Sequence, residues 1–172
     1  MALLSRLENS DIFFLDVKNK IDNRGGLCKV FQESWFGKNL NFLPKECYFS
    51  SSNQNVLRGF HLQINQSLQG KIVSCISGRV LDVIVDLRKG NNFGRVYSTY
   101  LDSSSNDTLF IPKGYGHSFL NIHKNKAVLL YLVETEYNPA NDTGVLWNSV
   151  NYDWPITFPI ISSRDNSLNS LD

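Results

Sequence analysis

The chain has few of the features that usually reveal a function at once. Among its 172 residues there are only three cysteines, Cys28, Cys47 and Cys75, and no pair has CxxC spacing. An odd number of cysteines without paired spacing argues against a disulfide framework or a zinc site. The apolar start of MALLSRLENSD is too short for a signal peptide. We therefore expect a cytoplasmic protein with reduced thiols.

Long apolar runs and charge blocks are also lacking. The longest uninterrupted apolar run, Ala127–Val133, is far shorter than a membrane-spanning helix. The formal net charge is +1, and no basic or acidic block stands out. These facts exclude a large nucleic-acid or membrane surface. The length favours one domain over residues 1–172 with a core of its own.

Histidine is equally scarce, which bears on metal binding. The chain has only His61, His117 and His123, and none of them lies in an H-x-H arrangement, since the residue two after His61 is Gln63. Metal sites in β-barrels need two or three imidazoles, usually with a carboxylate, that converge on one point. We therefore expect no metal. A P-loop, a dinucleotide fingerprint and a G-x-S-x-G motif are also missing.

What the chain does have is hydrophobicity with a period of two. The segment KIVSCISGRVLDVIVDLRKG contains two runs rich in Val and Ile on either side of Ser77-Gly78. In the second run Leu81, Val83 and Val85 fall on one face, and Asp82 and Ile84 fall on the other. Further strands are predicted over 96–101, 108–111, 118–122 and 127–134, with DSSSND, PKGYG and HKNK as turns.

This pattern predicts one antiparallel β-sandwich or barrel. Helical periodicity is weak, so only short peripheral helices are expected, over 33–40 and near the C-terminus. The Ser- and Asn-rich tail after about residue 165 is expected to be loosely held.

Three residues with reactive side chains lie within these strands, and each has an ordinary explanation. His61 suits a hydrogen-bonded rim position, Lys71 a surface lysine, and Tyr131 a strand-core tyrosine. Arg58 and His61 are three positions apart, and an odd difference places them on opposite faces of an ideal strand. If both serve one cavity, Gly59 must permit a bend or a bulge.

Several sequence segments, taken in order, indicate that these residues share one function. They are VLRGFHLQ, QGKIVSCISGRVLDVIVDLRKG, FGRVYSTYL, LFIPKGYGHSFL, LLYLVETEYNP and DWP. From about residue 22 to 165 the chain resembles the dTDP-4-dehydrorhamnose 3,5-epimerase family. The resemblance implies an all-β, cupin-type double-stranded β-helix (jelly roll) and a homodimer with exchanged N-terminal strands. It also implies a cofactor-independent isomerase that acts on nucleotide-activated 4-keto-6-deoxy sugars of deoxysugar, lipopolysaccharide or capsule biosynthesis.

The implied chemistry needs a base, an acid on the opposite ring face, and a cation for the enolate. By the resemblance, His61 is the base, Tyr131 the acid and Lys71 the cation. The family places the carboxylate that orients the base at Asp165, in SSRD, and Asp82 is the competing candidate. Relatives that invert only C3 or only C5 keep the same set, so C3, C5 or both are implied.

The resemblance also implies substrate-binding residues. Arg58 matches a diphosphate-binding arginine, whose planar fork suits phosphate oxygens, and Arg24 matches a second substrate-binding arginine. His117 matches a substrate-contacting histidine, and Tyr137 an aromatic residue that stacks on the nucleobase. Two further positions keep their charge while changing residue: Asp142 stands where the family has Glu, and Arg164 where it has Lys.

Other positions in the nucleotide pocket depart from the family. RGGLCK places Leu27 and Lys29 where the family has the Phe and Glu that help to hold thymine, and ECYFSSS places Glu46 and Tyr48 where it has Gln and Asn. We keep Lys29, Glu46 and Tyr48 as substrate-binding candidates. The changed charges alter which ring edge can be hydrogen-bonded, so we hypothesise that the carrier is CDP or another nucleotide, or that the sugar differs.

Two alternatives stay open at this level. A non-catalytic jelly roll that binds sugar nucleotides would keep the cavity without turnover. A metal-dependent cupin, such as a dioxygenase, would need more metal ligands than three histidines readily supply.

Overall fold

The computed structural model describes residues 4–17, 19–34 and 42–171. These residues contain two sheets and one exposed hairpin, built from strands whose alternating side chains match the period of two in the sequence. The strands are β1 (Leu4–Arg6), β2 (Phe13–Leu15), β3 (Asn19–Asp22), β4 (Gly25–Cys28), β5 (Glu46–Ser52), β6 (Leu57–Gln63), β7 (Lys71–Ser77), β8 (Arg79–Asp86), β9 (Val96–Asp102), β10 (Thr108–Ile111), β11 (Tyr115–Asn121), β12 (Ala127–Val133) and β13 (Asp142–Gly144).

The order of the strands defines the fold. One sheet has the order β1-β2-β10-β7-β12-β5, and the other has β13-β6-β11-β8-β9. All pairings between these strands are antiparallel, and β3 pairs only with β4 in the described part of the chain. Strands distant in sequence lie side by side, because the chain passes repeatedly from one sheet to the other, as in a jelly roll. The predicted all-β cupin-type fold is confirmed.

The core lies between the two sheets. Val73 and Leu129 of the six-stranded sheet pack in one cluster with Ile84, Tyr97 and Phe119 of the five-stranded sheet. Burial of this apolar surface is the main favourable term holding the sheets together. Residues of both sheets outside this cluster line a cavity.

Strand β8 is buried on both faces, which differs from a sandwich with one solvent-exposed side. Ile84 belongs to the cluster between the sheets, as alternation predicted. Leu81 and Val83 on the other face are covered by a C-terminal segment that includes Trp147 and Trp154. The two aromatic side chains pack edge to face with ring centroids 6.2 Å apart. This cover keeps Leu81 and Val83 away from water.

The strand bounds agree with the sequence predictions to within a few residues. The largest difference is in β11, which begins at Tyr115 rather than at residue 118. The helix predicted over 33–40 falls, except for its first two residues, outside the described ranges. A 3-10 turn spans Asn65–Ser67, and a single helical turn spans Ser163–Asn166. Neither helix is long and apolar enough to cross a membrane.

The C-terminal residues, for which composition predicted loose attachment, hydrogen-bond to the segment that precedes them. The Leu146 amide donates to the Asn169 carbonyl at 2.8 Å, and the Leu171 amide donates to Ser149 Oγ at 2.9 Å. The Ser162 side chain caps the helical turn by accepting a hydrogen bond from the Asp165 amide. The cap fixes the backbone that carries Asp165.

The predicted irregularity at Gly59 is present. In the pairing of β6 with β11, His61 lies opposite His117 and Arg58 lies opposite Phe119, so three steps on β6 match two on β11. This is a β-bulge in β6. Gly59 has a φ of +108°, and a Cβ there would clash with the His117 carbonyl and lie 2.8 Å from the Ser118 Cα. Only glycine fits this close approach of two backbones.

Candidate active site

A cavity of about 400 Å³ opens at one end of the jelly roll. Strands of both sheets contribute to it, so that its walls face each other across the gap between the sheets. It is lined by Glu46, Tyr48, His61, Leu62, Gln63, Gln69, Lys71, Val133, Thr135, Tyr137, Asp142 and Arg164. A cavity of this size suits a small organic ligand.

His61 enters the cavity from β6 and is held by Asp165 from behind. The His61 Nε2 lies 2.8 Å from the Asp165 Oδ1, and the aspartate is buried. A carboxylate at this nitrogen holds the proton on Nε2 and leaves Nδ1 as the basic nitrogen. The arrangement is that of an oriented general base, and the partner is Asp165 rather than Asp82.

Asp165 is itself fixed by two further donors. Its Oδ2 accepts a hydrogen bond from the Gly59 amide at 3.0 Å, and its Oδ1 accepts one from Arg164 Nη1, also at 3.0 Å. Burial alone would raise the pKa of Asp165, but the bonds from His61 and Gly59 and the charge of Arg164 lower it to about 2. The group is therefore a carboxylate at any physiological pH.

Lys71 is the first residue of β7, and its side chain is buried at the base of the cavity. Burial lowers the pKa of Lys71 to about 8, against the opposing effects of the Asp82 and Asp142 charges. An ammonium group in such a dry place interacts strongly with any negative charge that forms beside it. The surface-lysine explanation is wrong for this residue.

Tyr131 lies on β12, in the sheet opposite to that of His61. It is almost fully buried, and burial raises the pKa of its phenol well above the ordinary value. Its hydroxyl is 3.4 Å from Ser50 Oγ, and its ring stacks on Tyr48 with centroids 4.8 Å apart and an interplanar angle of 15°. A neutral phenol thus lies in one sheet and an oriented imidazole in the other, with the cavity-lining ring of Tyr48 stacked on the phenol.

A second histidine–aspartate pair lies deeper. His117 Nε2 is 2.7 Å from Asp82 Oδ2, and both side chains are buried. The His117 ring packs edge to face against Tyr131 with centroids 6.1 Å apart. Asp82 Oδ1 is buried with no hydrogen-bond partner among the described residues. The pair therefore supports the wall that carries Tyr131, and His117 is not among the residues that line the cavity.

The mouth of the cavity is a chain of charged and aromatic groups. Glu46 Oε2 accepts a hydrogen bond from the Tyr137 amide at 2.6 Å, and the Tyr137 hydroxyl donates to Asp142 Oδ2 at 3.2 Å. Arg164 Nη2 also donates to Asp142 Oδ2, while its Nη1 reaches Asp165. Arg164 therefore links the mouth to the carboxylate that orients His61.

Six of the residues predicted for the site lie outside this lining: Tyr131, Asp165 and His117, described above, and Arg58, Arg24 and Lys29. Arg58 is exposed and donates from Nε to Ser52 Oγ at 2.9 Å. Arg24 pairs with Asp22 at 2.6 Å on the exposed hairpin, and Lys29 donates to Gln32. In a single chain, the hairpin residues do not reach the cavity.

Three polar lining residues were not predicted. Gln69 Oε1 accepts a hydrogen bond from Thr135 Oγ1 at 2.7 Å, and Gln63 Oε1 accepts one from the Asn138 amide at 2.8 Å. Uncharged polar residues in loops and at strand ends give no distinctive signal in one sequence. Only the distance of Gln63 from His61, two residues along one strand, could have indicated a shared face.

Fold and cavity together define a class: a jelly-roll protein with an oriented histidine from one sheet at its cavity and a neutral, buried tyrosine in the other sheet. Comparison with known proteins gives the family. The family model described as dTDP-4-dehydrorhamnose 3,5-epimerase matches residues 6–172. The chain is 35% identical over 175 residues to the dTDP-4-dehydrorhamnose 3,5-epimerase of Escherichia coli K12, covering 97% of this chain and 93% of the relative.

Solved structures agree with the sequence comparison. The dTDP-4-dehydrorhamnose 3,5-epimerase of Bacillus anthracis, with TDP and PPi bound, superposes with a TM-score of 0.93 at 28% identity, covering 99% of this chain and 100% of that one. NovW of Streptomyces spheroides, a 4-keto-6-deoxy sugar epimerase, gives 0.91 at 30% identity, covering 99% and 88%. The chain belongs to the dTDP-4-dehydrorhamnose 3,5-epimerase family, and it is an epimerase of the isomerase class.

Proposed function

We propose that the protein epimerises C3, C5 or both in a nucleotide-activated 4-keto-6-deoxy sugar bound in the cavity. His61 removes the proton from a carbon next to the ketone, and the electron pair of that C–H bond moves onto the ketone oxygen as an enolate. Tyr131 then gives its phenolic proton to the same carbon from the opposite face. The tyrosinate regains a proton and His61 releases one, so the net reaction is inversion alone.

The observation that carries this proposal is the position of two proton carriers on different sheets of the jelly roll. His61 belongs to the five-stranded sheet and is fixed by Asp165 at 2.8 Å, whereas Tyr131 belongs to the six-stranded sheet. Inversion requires that protons leave and arrive on different faces of the sugar ring. The raised pKa of Tyr131, caused first by burial, keeps the phenol protonated until the enolate forms.

Lys71 completes the proposed mechanism as the cation that stabilises the enolate. Its ammonium lies on the same sheet as Tyr131, buried where water cannot screen a developing charge. The mouth residues Tyr137, Asp142 and Arg164 are proposed to hold the nucleotide part of the substrate, with Arg58 on the diphosphate. His117, which packs against Tyr131, is proposed to position the sugar.

Proton NMR in deuterated water tests the reaction. With a 4-keto-6-deoxy sugar nucleotide as substrate, the protein should cause loss of the C3 or C5 proton signal, and the number of lost signals counts the centres. His61→Ala should abolish the exchange while the ligand still binds. If the unaltered protein binds several nucleotide carriers but exchanges no proton, the non-catalytic alternative is favoured. If a chelator abolishes the proton exchange, a metal-dependent enzyme is favoured.

We propose further that the nucleotide pocket is not adapted to dTDP alone. Glu46 is already engaged with the Tyr137 amide, and Tyr48 occupies the wall against Tyr131, so neither presents the amide groups that the family has at these positions. Affinities for dTDP, CDP, UDP and GDP, measured by calorimetry, test this. A clear preference for dTDP would contradict the proposal.

The protein is also proposed to act in the cytoplasm as a homodimer with exchanged N-terminal strands. Strand β5 lies at an edge of the six-stranded sheet, and Phe49 on its outer side is 69% exposed. Ile21 on the β3–β4 hairpin is 78% exposed, and Arg24 on the same hairpin is directed only at Asp22. Exchange would cover the apolar residues and bring Arg24 and Lys29 to the cavity of the partner.

Light scattering after gel filtration measures the dimer directly, and complementation tests the exchange. Arg24→Ala and His61→Ala chains, each weak alone, should recover part of the activity when unfolded and refolded together, because one site of each mixed dimer is then intact. If Arg24 serves its own chain, the mixture gains nothing over the separate variants.

A further inference from the structure

Tyr48 is a residue of this chain that the mechanism above does not use. It lies directly opposite Tyr131 in the register of β5 with β12, so both side chains point to the same side of the sheet. Their rings are nearly parallel, 15° apart, with centroids at 4.8 Å. Tyr131 is buried and is not among the cavity-lining residues, whereas Tyr48, 41% exposed, stacks on it and lines the cavity.

We infer that Tyr48 is a positioning residue, whose ring holds the phenol of Tyr131 in line with the carbon that is protonated. The inference rests on the proposed role of Tyr131 as the acid. The hydroxyl of Tyr131 has only one weak restraint among the described residues, a 3.4 Å contact with Ser50 Oγ. Its direction is therefore set by packing, with Tyr48 on one side and the edge-to-face contact of His117 on another.

The stack also controls which acid the enolate meets. An enolate can take a proton from Tyr131, which inverts the centre, or from protonated His61 or water, which does not require inversion. Tyr48 lines the cavity and stacks on Tyr131, which does not line it, so the ring limits the approach of water to the acid. Burial, with Glu46 and Asp142, raises the pKa of Tyr48 to about 12, so the covering ring is an uncharged phenol. A neutral aromatic face packs on another without charge repulsion.

This role predicts a specific change in the kinetics of a Tyr48 variant. Loss of the Tyr48 ring should leave proton removal by His61 in place, because His61 and Asp165 belong to the other sheet. It should lower the fraction of exchange events that end in inversion. A displacement of about 1 Å in a reacting group can cost roughly 100-fold in rate, so a 10- to 100-fold fall in the ratio of inversion to exchange is expected.

The experiment measures two rates in deuterated water for each variant: deuterium entry at C3 and C5, and formation of inverted product. Tyr48→Phe retains the ring and should keep the ratio of the unaltered protein. Tyr48→Leu removes the aromatic stack and should lower the ratio while deuterium entry stays within a few-fold. Tyr100→Leu, the same change at an exposed tyrosine on β9, is the matched control and should alter neither rate.

The outcomes separate this inference from the proposed function. If the unaltered protein shows no deuterium entry, the epimerase mechanism itself fails. If it shows entry and inversion, but Tyr48→Leu has an unchanged ratio, the positioning role is refuted and the mechanism stands. An equal fall of both rates in Tyr48→Leu, relative to Tyr100→Leu, would also refute it, since that pattern indicates substrate binding or folding. A lower ratio in Tyr48→Phe would assign the effect to the hydroxyl instead of the ring.

Discussion

Replacing Asp165 by asparagine removes the carboxylate that orients His61 without changing the shape of the side chain. The side-chain amide of the asparagine can take two orientations. With its oxygen toward His61, its NH2 group faces the buried amide of Gly59, which now donates to Asp165 at 3.0 Å. With its oxygen toward Gly59, its NH2 group faces His61 and Arg164, where two donors bind today.

The second orientation should prevail, because Arg164 is exposed and can turn to Asp142, whereas the Gly59 amide cannot move. The NH2 group then donates to His61 Nε2 and forces the proton onto Nδ1, the nitrogen that must be unprotonated to act as the base. The base is in the wrong tautomer. Loss of an orienting aspartate in another histidine-based site costs about 10⁴-fold in kcat, so we expect a fall of about 10³- to 10⁴-fold here.

The same substitution has a stability signature. The pKa of Asp165 is about 2 when folded, against 3.8 as an ordinary carboxyl group. A depressed carboxylate pKa stabilises the folded state above pH 4 by about 2 kcal/mol, and this contribution disappears as the pH falls from about 4 to 2. Asp165→Asn should therefore unfold more easily at pH 7, and its difference from the unaltered protein should narrow at acid pH.

The assay for Asp165→Asn is deuterium entry by NMR, with urea unfolding at pH 7 and at lower pH on the same samples. Asp153→Asn, the same isosteric change at an exposed position, is the control. A variant with native circular dichroism, activity within tenfold of the unaltered protein and an unchanged pH profile would refute the proposed role of Asp165.

The remaining predictions concern three other positions. Because burial lowers the pKa of Lys71 to about 8, kcat should fall as the pH rises through about 8. Lys71→Arg keeps its charge, so its pH–rate profile should lack this fall. A fall at the same pH in the arginine variant would count against the role of Lys71. Tyr131→Phe should retain deuterium entry while inversion falls by about 100-fold or more, as judged by product NMR, and unimpaired inversion would disprove its role as the acid. Gly59→Ala should destabilise the fold by more than about 2 kcal/mol in urea unfolding, because a Cβ would lie 2.8 Å from the Ser118 Cα and the φ is +108°. A variant as stable as the unaltered protein would contradict the close approach of the two strands.

Strand patterns were readable from the sequence because runs rich in Val and Ile that are bounded by turn residues favour strands, whether one face or both are buried. The turn at Ser77-Gly78 and the runs on either side of it became β7 and β8 almost residue for residue. A bulge at Gly59 was expected if Arg58 and His61 serve one cavity; the bulge is present, and glycine permits it, although Arg58 does not line the cavity in this chain.

Other features needed the tertiary structure. Asp82 and Asp165 were both candidates to orient His61, and nothing in their local sequence separates them. The choice depends on where a helical turn at Ser163–Asn166 packs against β6, over 100 residues earlier in the chain. The pairing of Asp82 with His117 follows in the same way from the contact of β8 with β11.

The sequence by itself determined the periodicity of the strands, the family, and the residue types that proton transfer next to a ketone requires. Those properties are local or depend on the order of motifs along the chain, so they can be predicted from the sequence alone. Only the tertiary structure decided which aspartate holds His61, that Lys71 is buried, and that Tyr48 stacks on Tyr131. Each of these depends on distances between residues far apart in the chain, and such distances are set by how the two sheets pack.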